Sequence, residues 1–323
     1  LGLTNPLPMD LIRSFAEKVE KLYIIEELDD FMESQIRAAG IACEGKSLTG
    51  KLYELNPQLL KERIFGQKPE TMDVGVKAVP RAPALCPGCP HRGFFYTMSK
   101  NKNFVVGGDI GCYTLGVMPP LNAMDLNVCM GASCSGLHGF NLAGGEKTEK
   151  HSVAVIGDST FVHSGITGIT DIAYNQTNST IIILDNSITG MTGHQQNPTT
   201  GKNLRGEPAG KVDLEALCRA VGFRRVRVVD PNNLKEMDKA LKEELAAEEP
   251  SVIITRSPCV MLKEVPKAPP LKVDLEKCNG CSLCMRIGCP ALSLRGDHVE
   301  IDNTQCIGCQ VCMQMCHRDA LIV

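Results

Sequence analysis

The chain has 323 residues, of which 43% are apolar, and a formal net charge of −3 at pH 7. This length allows about two domains, and the apolar fraction is sufficient for buried cores. The balanced charge, without basic blocks, argues against nucleic acid as a partner. No apolar run approaches the roughly 20 residues of a membrane span, and no signal peptide precedes the first motif. We therefore expect a cytoplasmic protein.

Cysteine usage points to ligands of metals or clusters. Ten of the sixteen cysteines fall in C-x-x-C-type groups. Disulfides belong mainly to small secreted proteins, whereas the rest of this chain reads as an intracellular enzyme. Reduced thiolates are the better interpretation.

Residues 1–66 are predicted to form a small α/β domain. Apolar spacing predicts a helix at Met9–Val19, a short strand at Leu22–Ile25 and a helix at Phe31–Ala39. The sequence opens on Leu1, inside what reads as a strand end, so we expect further residues of this domain outside the sequence. Residues 67–83, rich in Pro, Lys and Gly, are the predicted linker.

Residues 84–265 alternate between short apolar runs and helical segments. Strand-like runs end at the strings GDIGCYTLG, CMGAS, GDS and DN, with amphipathic helices between and after them. Such alternation predicts a parallel, doubly wound α/β sheet, which binds its ligand at the carboxyl ends of the strands.

The segment Val153–Gln196 organises this domain. Strands ending before Asp158 and Asn186 should place those two side chains next to each other, although 28 positions (186 minus 158) separate them. Oxygen donors of this kind suit Mg²⁺ bound together with a ligand's phosphates. Thr189, Gly190 and Thr192 offer hydroxyls and free amides for phosphate oxygens. The alternative is an ordinary βαβ crossover whose polar residues only cap loops.

The same residues resemble the thiamine-diphosphate (TPP) signature, Gly-Asp-Gly followed by a pair ending in Asn. Ser159 departs from it at the second Gly. Residues 1–66 in turn resemble part of the carboxy-terminal domain of transketolase-type enzymes.

The last segment, 271–323, contains twice the motif C-x-x-C-x-x-C, followed by a fourth cysteine after four residues in the first copy and three in the second. Four thiolates at this spacing suit a [4Fe–4S] cluster, and in two-cluster ferredoxins the fourth cysteine of each motif serves the other cluster. This rule assigns the eight cysteines to two groups of ligands, which we call the first and the second ferredoxin set. A zinc site is the weaker alternative. The first set is Cys278, Cys281, Cys284 and Cys316, and the second is Cys306, Cys309, Cys312 and Cys289.

Another group of cysteines resembles one in 2-oxoacid:ferredoxin oxidoreductases, which in several members holds a cluster close to TPP. It comprises Cys86, Cys89, Cys112 and, by its place after the last strand, Cys259; we call it the CPGC set. The alternative is that Cys86 and Cys89 are small buried residues, with His91 and Arg92 contacting the cofactor phosphate. Cys43, Cys129, Cys134 and Cys218 have no partner spacing and are expected to be buried apolar residues.

The order of parts, with the strings CPGCPHR and GDIGCYTLG, resembles the large, alpha subunits of the indolepyruvate:ferredoxin oxidoreductase family. The resemblance covers essentially the whole chain. It implies TPP-dependent oxidative decarboxylation of an arylpyruvate in anaerobic organisms, yielding an acyl-CoA, CO₂ and electrons for a soluble ferredoxin. It also implies coenzyme A and a smaller beta subunit as partners.

The resemblance further assigns roles to individual residues. Asp158, Asn186 and the Ile188 carbonyl would bind Mg²⁺. Ser159, Thr160, Thr189 and Thr192 would lie near the diphosphate, beside Gly157 and Gly190, and Met130 and Gly131 would border the aminopyrimidine. The acid that activates TPP is expected from a pyrimidine-binding domain outside this sequence, so no catalytic residue is named.

Three other readings stay open. The chain could be a non-oxidative TPP lyase with a ferredoxin tail, or an electron-transfer protein with a TPP-free α/β domain. It could also be an oxidoreductase for pyruvate, a branched-chain 2-oxo acid or 2-oxoglutarate.

Overall fold

The computed structural model describes residues 1–68, 72, 74–77, 79 and 82–323. It divides into two compact units, Leu1–Pro80 and Arg81–Val323. The boundary falls within the predicted linker 67–83, of which residues 69–71, 73, 78, 80 and 81 lie outside the described residues. Among the described residues, no helix is long and apolar enough to cross a membrane.

In its described residues, the first unit contains four helices around a small apolar core. The helices are α1 (Met9–Ala16), α2 (Phe31–Ala38), α3 (Lys46–Thr49) and α4 (Pro57–Phe65). Ile12 and Ile36 bring one face of α1 and α2 into a core shared with Leu7, Ile24 and Ile41. The strand expected at Leu22–Ile25 is reduced to a single parallel bridge between Tyr23 and Glu44. That prediction was wrong, because among the described residues this run hydrogen-bonds to the backbone of Glu44 alone and no second strand lies beside it.

The second unit is built on a six-stranded parallel sheet in the order β2-β1-β3-β4-β6-β5. Its strands are β1 (Val105–Gly108), β2 (Leu126–Asn127), β3 (Ser152–Gly157), β4 (Thr180–Asp185), β5 (Arg225–Val229) and β6 (Ser251–Arg256). The central strands β3 and β4 are buried along their whole length, as their runs of β-branched residues predict. Strand β2 lies just before the run Val128–Cys129 where a strand was expected.

Helices cover both faces of this sheet. They are α5 (His91–Ser99), α6 (Ala132–Gly144), α7 (Glu146–Glu149), α8 (Asp158–Thr160), α9 (Ile166–Asn175), α10 (Leu214–Val221) and α11 (Leu234–Leu245). Phe94 of α5 and Met237 of α11 pack on one face, whereas Leu137 of α6, Ile169 of α9 and Cys218 of α10 pack on the other. The predicted doubly wound architecture is therefore confirmed.

The carboxy-terminal segment is a small module within the same unit. It has two antiparallel pairs, formed by β7 (Lys272–Val273) with β10 (Leu321–Ile322) and by β8 (Leu292–Arg295) with β9 (His298–Ile301). Two short 3₁₀ helices, Leu283–Ile287 and Val311–Met315, follow the two C-x-x-C runs and pack together in its core. The repeated sequence motif thus folds as a repeated structure.

Candidate active site and cysteine sets

Strands β3 and β4 place the predicted cofactor-binding residues at one edge of the sheet. In the parallel register, Gly157 pairs with Leu184, so the residues that follow both strands emerge side by side. All of the predicted cofactor-binding residues except Gly131 line one cavity. They are Met130, Gly157, Asp158, Ser159, Thr160, Asn186, Ile188, Thr189, Gly190 and Thr192.

Asp158 is a buried carboxylate at the floor of this cavity, with 3% of its surface exposed. Its Oδ1 accepts the Ser159 amide at 2.8 Å, and its Oδ2 accepts the Thr199 hydroxyl at 3.1 Å. Burial, followed by the neighbouring carboxylate of Asp185, raises the pKa of Asp158 to about 7. A buried carboxylate beside a second carboxylate favours a bound cation, because a cation offsets the cost of its charge.

Asn186 and Ile188 follow β4 in a tight loop. Asn186 is buried, and its Oδ1 accepts the Ile188 amide at 3.3 Å while keeping a second lone pair. Asp185 holds the loop from below, since its carboxylate accepts the Ser187 amide at 3.1 Å and the Arg256 Nε at 2.8 Å. The oxygen donors named for Mg²⁺ therefore lie together, and the donor set suits a hard cation.

Gly157 has no room for a side chain. A Cβ there would lie 2.7 Å from Cε1 of Tyr113, whose hydroxyl donates to the Ile110 carbonyl at 3.0 Å. Tyr113 also packs edge-on against the His91 ring at a centroid distance of 5.9 Å. Burial lowers the pKa of His91 to about 4, so this ring is a neutral wall of the cavity.

Sequence reasoning missed Asp109, although it lies in the string GDIGCYTLG. Asp109 has no exposed surface, and its carboxylate accepts the Ile110 amide at 2.6 Å, the Gly131 amide at 2.7 Å and the Ser133 hydroxyl at 3.3 Å. It thereby fixes the turn that presents Met130 to the cavity. Gly131 adopts φ +88°, donates its amide to Asp109 and does not line the cavity.

The loop after Asn186 also supplies residues that were not predicted. Thr199 contacts Asp158, and its hydroxyl lies 2.6 Å from Oδ1 of Asn197. Asn197 in turn donates to the Thr189 hydroxyl at 3.3 Å. His194 is exposed and lines the neighbouring cavity. This loop therefore folds back over the predicted Mg²⁺ site.

The first ferredoxin set surrounds one small cavity of the carboxy-terminal module. Burial, and then the thiols of Cys316, Cys281 and Cys278, raise the pKa of Cys284 to about 11. Burial, and then the thiols of Cys309, Cys289, Cys284 and Cys306, raise the pKa of Cys312 to about 12, so the thiols of the second ferredoxin set also lie together. In both places, three thiols of one motif lie near the fourth thiol of the other motif.

The CPGC set lines a cavity next to that of Asp158. His91, Cys112, Asn186, Gly190 and Met191 belong to the walls of both cavities. All four cysteines of the CPGC set line the second cavity, although they come from a turn, the start of the 3₁₀ helix Cys112–Val117 and the segment after β6. No described group of three or more His, Cys, Asp or Glu residues is arranged tightly enough to hold a metal ion. A four-iron cluster is larger than an ion and needs its thiolates around a cavity.

Arg92 does not line the cavity of Asp158. It is buried, and its guanidinium donates to backbone carbonyls, which argues against the alternative in which it contacts the cofactor phosphate. The prediction that the four cysteines without partner spacing are buried was wrong for two of them: Cys129 is exposed, because it follows the short edge strand β2, and Cys43 is half-buried, whereas Cys134 and Cys218 are buried.

Comparisons with known proteins agree with this architecture. The family described as "Thiamine pyrophosphate enzyme, C-terminal TPP binding domain" matches residues 109–255, and the "4Fe-4S dicluster domain" matches residues 270–317. The subunit IorA of indolepyruvate oxidoreductase from Archaeoglobus fulgidus is 36% identical over 99% of this chain and 55% of its own length. The chain belongs to the IorA family. IorA of Pyrococcus horikoshii is also 36% identical, over 90% of this chain and 51% of its own length.

The chain spans about half the length of these IorA relatives. The dicluster match includes every cysteine of the two ferredoxin sets, whereas Cys86 and Cys89 precede both matched segments. Among solved structures, a 2-oxoglutarate:ferredoxin oxidoreductase from Magnetococcus marinus is similar with a TM-score of 0.48 and 20% identity, over 58% of this chain and 68% of that chain.

Proposed function

We propose that this chain carries the TPP site and the electron-transfer centres of a 2-oxoacid:ferredoxin oxidoreductase. The reaction converts a 2-oxo acid and coenzyme A to an acyl-CoA and CO₂, and delivers two electrons to ferredoxin. One observation carries the proposal: the cavity around Asp158 shares its wall with the cavity of the CPGC set. A cluster held by the CPGC set would therefore be the adjacent acceptor for electrons released in the cavity around Asp158.

In this proposal, Asp158, Asn186 and the Ile188 carbonyl hold Mg²⁺, and the hydroxyls of Ser159, Thr160, Thr189 and Thr192 face the diphosphate. Gly157 and Gly190 let the backbone approach, and Met130 and Gly131 border the aminopyrimidine. When bound, TPP supplies a carbanion that attacks the 2-oxo group and an electron sink for the loss of CO₂. The protein's part is to hold the Mg²⁺–diphosphate end rigidly, with neutral His91 and Tyr113 behind it.

Three clusters are proposed, one in each cysteine set. The CPGC set borders the TPP cavity, and Gly88 of its turn packs against Ile307 next to the second ferredoxin set. Cys284 of the first ferredoxin set lies near Cys312 of the second. Because the second set lies next to both of the others, we propose the first set, at the end of this series, as the exit toward ferredoxin. Iron analysis tests the number, because about twelve irons per chain support three clusters and about eight support two.

An arylpyruvate such as indolepyruvate is the proposed substrate, as the names of the IorA relatives suggest. A smaller beta subunit, a pyrimidine-binding domain that supplies the activating acid, and a cytoplasmic, anaerobic setting belong to the same proposal. Pyruvate, branched-chain 2-oxo acids and 2-oxoglutarate are the competing substrates.

The experiment is anaerobic ferredoxin reduction by the assembly purified through this chain, with TPP, Mg²⁺, coenzyme A and a panel of these acids. We expect arylpyruvates to give the highest kcat/KM. Preference for another acid would change the substrate but keep the reaction class. Asp158→Ala should abolish TPP-dependent turnover while leaving the iron content unchanged. Full TPP affinity in that variant would contradict the assigned site.

A further inference from the structure

Arg92 is a buried cation that the proposed TPP site does not use. It follows the CPGC turn at the start of α5, and only 4% of its surface is exposed. Its Nε donates to the Cys86 carbonyl at 3.0 Å, and Nη2 donates to the Leu85 carbonyl. Its Nη1 reaches into the carboxy-terminal module, to the carbonyls of Ile287 at 3.2 Å and Gly288 at 2.5 Å.

These hydrogen bonds engage all three nitrogens of the guanidinium but leave its charge without a counter-ion. Every hydrogen-bond partner of Arg92 in the described part of the chain is a carbonyl oxygen. The ionisable groups in electrostatic contact with it are cysteines of two different sets, Cys86 and Cys89 of the CPGC set and Cys289 and Cys309 of the second ferredoxin set. Arg92 therefore lies between two cysteine sets, within electrostatic range of both.

The surrounding packing keeps the two sets close together. A Cβ on Gly88 would lie 2.3 Å from Cδ1 of Ile307 and 3.7 Å from Cβ of Cys309. A Cβ on Gly288 would lie 2.9 Å from Cδ of Pro120 and 3.3 Å from Nη1 of Arg92. Only glycine leaves space for this approach, so Arg92 is fixed at the boundary between the two sets.

A buried cation in this position favours the reduced state of its neighbours. A cluster held by four thiolates is anionic, and each electron it accepts adds negative charge, so its potential depends on nearby charge and burial. An arginine keeps its charge under all ordinary conditions and presents its donors in a fixed plane. Burial weakens solvent screening, which makes one fixed charge effective at this range.

We propose that the Arg92 guanidinium raises the reduction potentials of the clusters in the CPGC set and in the second ferredoxin set together. The proposal rests on the assignment of clusters to these sets under the proposed function. When an electron passes between them, the first cluster is oxidised and the second is reduced, while the negative charge around Arg92 stays nearly constant. A shared cation thus makes both sites easier to reduce without trapping the electron on either one. Arg92 thus acts on this transfer through its charge and is not a catalytic residue.

The test is an EPR-monitored redox titration of the iron-loaded assembly with Arg92→Gln, Arg92→Lys and the wild type. For Arg92→Gln, the ratio of reduced to oxidised cluster at a fixed potential should fall about tenfold in both flanking sets, equivalent to about 59 mV for one electron. In the first ferredoxin set, this ratio should change less than about twofold. Arg92→Lys keeps the charge, so its ratios in both flanking sets should stay within about twofold of those of the wild type. Exposed Arg286 provides the matched control, Arg286→Gln, which should shift neither flanking set.

Unchanged potentials in iron-loaded Arg92→Gln would overturn the proposal. An equal shift in Arg92→Lys and Arg92→Gln would also overturn it, because the hydrogen bonds rather than the charge would then be responsible. If Arg92→Gln loses iron, the Arg92→Lys titration decides, since a tenfold shift there contradicts a role for the charge. About eight irons in the wild type would instead remove the CPGC cluster from the proposed function, and the predicted shift of the second ferredoxin set would still stand or fall by itself.

Discussion

Replacing Asp158 by Asn removes a buried negative charge while it keeps the shape of the side chain. Burial and the carboxylate of Asp185 raise the pKa of Asp158 from 3.8 to about 7. Each pKa unit corresponds to about 1.4 kcal/mol, so the ionised carboxylate costs the metal-free fold on the order of 4 kcal/mol. The hydrogen bonds can persist, because Thr199 can accept from the new amide and donate to Asn197 instead.

The sign of the pH dependence follows from this shift. The folded protein binds the Asp158 proton more tightly than the unfolded chain, so this group's stabilising contribution is present near pH 4 and is lost as pH rises through about 7. With a chelator present to remove Mg²⁺, Asp158→Asn should have the same free energy of unfolding as the wild type near pH 4. At pH 8 its free energy of unfolding should be higher by up to roughly 4 kcal/mol.

Mg²⁺ and TPP should reverse this order. A ligand that binds only the folded state stabilises it by mass action, so the wild type gains stability with Mg²⁺ and TPP and the variant does not. Urea denaturation at pH 4 and pH 8 measures the free energy of unfolding of both proteins, first with the chelator and then with Mg²⁺ and TPP. Asp297→Asn is the control, since that side chain is 99% exposed and should give no such gain at pH 8. A variant no more stable than the wild type in chelator at pH 8 would refute the reasoning.

Three further predictions use other contacts of the site. Thr199→Val removes the hydroxyl that donates to Asp158 and should weaken Mg²⁺-dependent TPP binding by about 10-fold in calorimetry, as expected for a group that orients a metal ligand. Thr199→Ser keeps the hydroxyl and should bind TPP like the wild type, so equal affinities of the Val and Ser variants would contradict this role. Gly157→Ala should lower the free energy of unfolding by about 1–3 kcal/mol in urea, because its Cβ would meet the Tyr113 ring, whereas an unchanged midpoint would place that ring elsewhere. Cys284→Ser should remove one cluster's EPR signal and spare those of the second ferredoxin set and the CPGC set; loss of a second-set signal would mean that the two ferredoxin motifs are not paired as proposed.

The alternation of buried strands and amphipathic helices was sufficient to predict the sheet. Strands β3 and β4 read as β-branched runs, and their parallel pairing brings Asp158 and Asn186 to one edge without further information. The ferredoxin motifs were similarly readable, because cysteine spacing within each motif is local. The short strand at Leu22–Ile25 failed, since a strand needs a partner and this run finds only a single bridge.

The contacts that sequence reasoning missed join residues far apart in the chain. Thr199 reaches Asp158 across 41 positions, and Arg92 reaches Ile287 across 195. Thr199 belongs to no pattern that spacing could detect, and the CPGCPHR string contains Arg92 but gives no indication of its distant partner. Asp109 belongs to the string GDIGCYTLG, from which only Cys112 was taken as a candidate ligand. Its position directly after a strand could have identified this carboxylate, which binds the Gly131 amide.

The coupling of the cavity at Asp158 to the cysteine sets is the central claim, and anaerobic EPR tests it most directly. The assembly purified through this chain is mixed with TPP, Mg²⁺, coenzyme A and an arylpyruvate, without ferredoxin, and is frozen before and after mixing. We predict reduced-cluster signals that require both TPP and the 2-oxo acid and that vanish in Asp158→Ala. Decarboxylation of the acid with all clusters left oxidised would contradict the account and identify a non-oxidative lyase.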